Sequence, residues 1–117
     1  MILSEQELQR RRPVWDALSE LFLDNELDEA ALQFVVRTLR AAGYDAGDWL
    51  AILRHEVAPV VGGNLLTVAG EWAGFDPAWL EQRILARASG PSLEGRLALW
   101  LIRADVQRLQ AAWAAQP

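Results

Sequence analysis

Residues 28–43 read DEAALQFVVRTLRAAG, and this stretch decides the fold class. Leu32, Val35, Val36 and Leu39 recur at intervals of three and four, the spacing that lines one face of an α-helix. Asp28 has the short acceptor side chain that caps a helix N-terminus, and Gly43 supplies the left-handed residue on which helices end. Start, face and stop agree on one amphipathic helix.

The same grammar continues outward in both directions. Ser4 followed by Glu7 forms a capping-box pattern, and Leu8, Val14, Trp15, Leu18, Leu21 and Phe22 make one apolar face behind it. Pro13 is expected to kink or divide that first helix. Downstream, Tyr44 and Asp45 precede Trp49 and Leu50, and Phe75, Asp76 and Pro77 precede Trp79 and Leu80. In both openings Asp caps and the preceding aromatic can staple onto the fourth helical residue. Their continuations do not match, so the likeness is shared capping chemistry and not an internal repeat. Residues 59–74 hold Gly62, Gly63, Gly70 and Gly74, too many for one long helix, and a short helical turn between two bends is expected there. Gly90 and Pro91 end a fourth helix, and Ser92 opens a last one expected to run to about Ala115. The expectation is an all-α fold: one domain over residues 1–117, built as a compact five-helix bundle.

The last helix carries two apolar seams. At about 100° per residue, Leu93, Leu97, Trp100 and Ala104 lie on one side, and Leu99, Ile102, Val106, Leu109 and Trp113 lie nearly opposite. The second set has the 3-4-3-4 spacing of a coiled-coil seam. A helix apolar on both sides is either central to its own fold or shared with a second chain, so a homodimer through Leu99, Ile102, Val106, Leu109 and Trp113 is one expectation.

Composition removes several function classes. The chain has 117 residues, of which 52% are hydrophobic, with six Trp, a composition far from that of disordered segments. No apolar run approaches the roughly twenty residues of a membrane span, and no basic segment precedes a long apolar stretch at the N-terminus. A cytoplasmic protein without membrane contact is expected. With no Cys there is no thiolate nucleophile, disulfide or thiol-ligated metal. The net charge of −5 argues against nucleic acid as partner and for a protein with a basic surface. Arg10, Arg11 and Arg12 are the local exception and read as a solvated face.

Catalytic patterns are missing. One His excludes a His-Glu-x-x-His metal site, and neither a phosphate-binding glycine loop nor a G-x-S-x-G elbow occurs. No catalytic, metal or cofactor residues are assigned, and no cofactor is expected. His55 reads as a surface residue. Glu56 is the unusual position, because helical spacing turns it between Ile52 and Val57, into an apolar face where an ionised carboxylate needs a partner. Glu56, Asn64, Glu71 and Trp72 are therefore a candidate buried polar site. It is either structural, with Glu56 accepting backbone N–H groups or an Arg, or an acid–base pair of Glu56 and Glu71. Phe34 and Trp79 stand off their helices' apolar stripes, and Arg83 lies one turn from Trp79. Phe34, Trp79 and Arg83 are the candidate partner-binding residues.

Val14-Trp15, Leu21 to Asp24, Gly43-Tyr44, Glu56 to Val60, Asn64 to Leu66 and Gly70 to Asp76 together resemble a family of short bacterial proteins of unknown function, over most of residues 8–86. The resemblance implies a bacterial origin and a compact helical fold. Three readings of function remain. The first is a small acidic binding domain that masks or regulates a partner protein, as an immunity protein does for a toxin. The second is a self-associating structural or adaptor subunit, and the third an enzyme using Glu56 and Glu71.

Overall fold

A computed structural model describes residues 2–23, 27–67 and 76–115, with the backbone alone for residues 63–67. All regular structure among the described residues is helical. α1 spans Glu5–Ser19 and ends in a 3-10 turn, Glu20–Phe22; α2 spans Glu29–Ala42. α3 (Ala46–Ile52) passes through a π-helical turn, Leu53–Val57, into α4 (Ala58–Thr67) without leaving the helical path. α5 covers Pro77–Leu85, α6 Leu93–Leu101 and α7 Arg103–Ala114.

The caps sit where the short polar side chains predict them. The backbone N–H groups of Ala31, Asp48, Trp79 and Gly95 donate to the side chains of Asp28, Asp45, Asp76 and Ser92 at 2.7–3.0 Å. Gly43 closes α2 at φ +79°, a conformation that costs a residue with a Cβ but not glycine. Ser4 accepts from the Glu7 N–H at 3.1 Å, yet the capping box stays half-made, because the Glu7 carboxylate turns to Tyr44 and Arg11 instead.

Every helix contributes to one core. Val14, Trp15 and Leu18 of α1 meet Val35, Val36 and Leu39 of α2, Trp49 and Leu53 from the third rod, Leu80 and Ile84 of α5, Ala98 of α6 and Leu109 of α7. Each fully buried Leu or Val among them contributes about 1.5–3 kcal/mol. The Trp49 ring meets the Trp113 ring edge-on at 6.0 Å, and its buried indole N–H has no hydrogen-bond acceptor among the described residues.

Three expectations of helix extent are corrected. Pro13 does not divide α1, which runs unbroken through it, held on the far side by the burial of Val14, Trp15 and Leu18. Over residues 59–67 the glycine-rich stretch is continuous helix, running across Gly62 and Gly63 to Thr67 instead of bending there, while residues 68–74 lie outside the described residues. The reason is tertiary. A Cβ on Gly62 would stand 2.6 Å from the Glu94 carbonyl oxygen, and one on Gly95 would stand 3.0 Å from the Pro59 nitrogen. α4 and α6 touch backbone to backbone, so glycine is there for close approach and not for bending. The last helix is not continuous either: it breaks at Ile102 (φ −103°, ψ 17°). Six helical rods, not five, therefore stand among the described residues.

Candidate functional site

Glu56 lies in the π-helical turn, and a proline helps to shape that turn. Pro59 has no N–H to offer the carbonyl of His55, four residues earlier. That carbonyl instead accepts from the Gly90 N–H at 3.1 Å and from the Arg87 guanidinium at 3.0 Å, which ties the α5–α6 connection onto the π segment. The widened turn leaves Leu53, Glu56 and Val57 buried together.

Glu56 is 5% exposed and fully engaged. One carboxylate oxygen accepts from the Trp15 indole N–H at 2.8 Å, and the other is paired with the Arg11 guanidinium. Arg11 also donates to Glu7 at 3.0 Å, and Glu7 accepts from the Tyr44 hydroxyl at 2.6 Å. Arg10 completes the chain: its guanidinium lies 4.0 Å from the Tyr44 ring centroid and donates to the carbonyls of Ala42 and Gly43 at 2.6 and 2.9 Å. A cation is favourable there, at the negative end of α2. α1 thus clamps the π segment and the C-terminal turn of α2 through alternating charges.

The electrostatics follow the contacts. The Tyr44 hydroxyl, then Arg11, hold Glu7 below the usual carboxylate range although burial opposes this. Burial and the bond to Glu7 push Tyr44 up to about 12. Burial works against the Arg11 charge, but Glu56 and Glu7 outweigh it and raise its pKa. Arg10 and Arg12 of the three-arginine run are exposed, as a solvated face expects, but all three arginines are engaged. Arg10 and Arg11 are built into the clamp, and Arg12 is paired with Glu81 of α5. The i, i+4 spacing of Glu7 and Arg11 was the signal in the sequence; Tyr44 carried none.

Of the candidate buried polar site, Glu56 is buried and paired with Arg11. Glu71 and Trp72, and the side chain of Asn64, lie outside the described residues. The candidate partner residues fall on two helices. Phe34 is 52% exposed on α2. On α5 the Arg83 guanidinium is 5.6 Å from the Trp79 ring centroid, as their spacing predicts, but Trp79 is half-buried against the core and is not a free surface aromatic.

Of the two apolar seams of the last helix, one serves the chain's own core: Leu99, Ile102, Val106 and Trp113 pack against it and Leu109 is wholly inside it. The opposite seam faces out: Leu93, Leu97 and Trp100 are 71, 47 and 60% exposed and Ala104 is exposed with them, and Leu101 beside the seam is 61% exposed. Gly95 and Ala98, buried on α4, mark the face directly behind this stripe. At its end the Arg103 guanidinium stacks 4.2 Å from the Trp100 ring centroid and donates to the Trp100 carbonyl at 2.7 Å. Beyond Arg103 a groove of about 220 Å³ opens between the π segment and the α6–α7 junction.

Residues 9–116 match the family model of a domain of unknown function, DUF7079. The chain belongs to this family. The DUF7079 match runs from the second turn of α1 through α7, and so takes in the exposed stripe and all of the charged clamp except Glu7. No curated protein and no solved structure matches the chain. Among the described residues, no helix of this DUF7079 domain is long and apolar enough to cross a membrane, and no cluster of His, Asp or Glu has the makings of a metal site.

Proposed function

We propose that this is a cytoplasmic protein-binding module, not an enzyme, which masks or regulates a partner protein as an immunity protein does, and that it docks through the outer face of α6. One observation carries the reading: four large apolar side chains, one of them Trp, stand 47–71% exposed on a single helix. A contiguous apolar stripe with charged flanks is the usual mark of a protein contact, and Trp and Arg are the residues most often found at binding hot spots. Glu56 supports the same choice, since both its carboxylate oxygens are held by Arg11 and Trp15, as a structural acceptor requires. The net charge of −5 steers basic surfaces toward the chain, while Arg96 and Arg103 flank the stripe itself.

The test is Leu97→Glu. Leu97 is exposed, so the variant should keep the wild-type circular dichroism spectrum and melting temperature. On co-purification from the native host, a protein recovered with the wild type should be missing from the variant. Equal recovery with both would overturn the α6 surface. The self-association reading transfers to the same face: light scattering of wild type and Leu97→Glu separates a dimer through α6 from a foreign partner.

A further inference from the structure

The groove at the α6–α7 junction combines an apolar floor with cations that the fold does not neutralise. Leu50, Leu53, Leu99 and Val106 form its walls, and Arg54 and Arg103 line the same space of about 220 Å³. Arg54 is exposed on the π segment. Among the described residues neither guanidinium has a carboxylate partner, whereas Arg10, Arg11, Arg12 and Arg108 each do. Arg37, Arg83 and Arg96 share this lack of a carboxylate among the described residues, but none of them lines the groove, where Arg54 and Arg103 converge on one apolar surface.

The geometry prepares one of them for a ligand. Arg103 is held against the Trp100 ring and carbonyl, which costs it part of its rotational freedom in advance while leaving other N–H groups to donate. Gln107 and Gln110 also line the groove, with amides suited to a peptide backbone. A second cavity of about 220 Å³, between α1 and α5, lacks this character: its cation Arg12 is already paired with Glu81, and it also presents Asp16.

We propose that this groove binds an acidic amphipathic segment of the partner protein. An aliphatic or aromatic side chain fills the floor formed by Leu50, Leu53, Leu99 and Val106. Carboxylates on either side of it pair with Arg54 and Arg103. Charge complementarity selects the occupant, because only an anionic segment removes the two uncompensated charges from an apolar surface. The inference rests on the α6 docking reading, with which it is continuous through the stacked pair of Arg103 and Trp100.

A random dodecapeptide library displayed on phage and selected against the full chain provides the probe. The selected peptides should carry Asp or Glu on both sides of an aliphatic or aromatic residue. When the best of them is synthesised and titrated into isotope-labelled protein, amide shifts should centre on Leu50, Leu99, Arg103 and Val106. Arg54→Gln and Arg103→Gln should each weaken binding about tenfold. Both variants should melt close to wild type, since neither loses a carboxylate partner. Replacing the peptide's carboxylates by amides should weaken binding to wild type and leave binding to the double variant unchanged. Recovery of no peptide, peptides without acidic enrichment, or unchanged affinity of both variants would overturn the groove assignment. Shifts confined to Leu93, Leu97 and Trp100 would overturn it while sparing the docking face; the Leu97→Glu co-purification fails separately if the docking face itself is wrong.

Discussion

At the scale of single residues, Glu56 is the position on which the charged clamp turns. Removing its carboxylate strands the Trp15 indole N–H and leaves Arg11 with Glu7 as its remaining carboxylate, and a buried donor left unsatisfied costs roughly 1–3 kcal/mol. Glu56→Ala should therefore lower the melting temperature clearly at neutral pH; an unchanged or raised value would end the structural reading and reopen a ligand role. Tyr44 gives a second, optical readout, because it is the chain's one tyrosine. Its ionisation, followed at 295 nm, should have its midpoint near 12 instead of near the ordinary 10. The sign for stability follows. A hydroxyl whose folded pKa is raised stabilises the fold below the unfolded value and loses that contribution as pH climbs from about 10 through about 12. Glu7 acts in the opposite direction: its depressed pKa contributes above the unfolded value, and that contribution disappears as pH falls through the folded one. A Tyr44 midpoint at the free value would show that the hydroxyl is not held by Glu7.

At the scale of elements, the contact between α4 and α6 depends on two glycines. Alanine is favoured over glycine inside a helix by about 1 kcal/mol, so propensity alone predicts that Gly62→Ala stabilises. The close approach predicts the reverse. The new Cβ would meet the Glu94 carbonyl oxygen at 2.6 Å, backbone that cannot swing aside, and overpacking of this kind costs about 1–3 kcal/mol. Gly95→Ala meets its neighbours at 3.0 Å or more, and one of them is the Ser92 side chain, so its loss should be smaller. Denaturant melts of both variants decide; a stabilised Gly62→Ala would disprove the backbone contact. The break at Ile102 belongs to this scale too. It divides what reads as one long helix, yet Leu109 of α7 stays in the core and Leu93, Leu97 and Trp100 of α6 stay outside, the opposite sides that helical spacing already gives them.

For the whole molecule, which side of the last two helices faces inward determines what is left for a partner. Val106 packs on the core from its half-buried position, so Val106→Glu should destabilise the chain by several kcal/mol and not merely separate subunits. Thermal melts and light scattering of the same variant distinguish the two: dissociation with an unchanged melt would return the inner seam to the role of a dimer contact. The outer face of α6 should tolerate charge, as Leu97→Glu tests, because nothing in the described core leans on it.

Local chemistry was sufficient for the helical class and most of its boundaries. Asp28, Asp45, Asp76 and Ser92 cap where they stand because a short acceptor reaches only the N–H groups of its own first turn, and Gly43 stops α2 because the left-handed conformation costs it no Cβ clash. The burial of Glu56 was legible for the same reason: helical spacing alone turns it toward apolar neighbours. Contacts between residues distant in sequence left no such mark. Arg11 meets Glu56 across 45 positions and Tyr44 meets Glu7 across 37, and no periodicity couples them. Gly62 reads as a breaker until the Glu94 carbonyl is found against it. The two seams of the last helix are equally apolar in sequence, and hydrophobicity has no direction; only the packing of α4 against Gly95 and Ala98 decided which seam is core and which is surface.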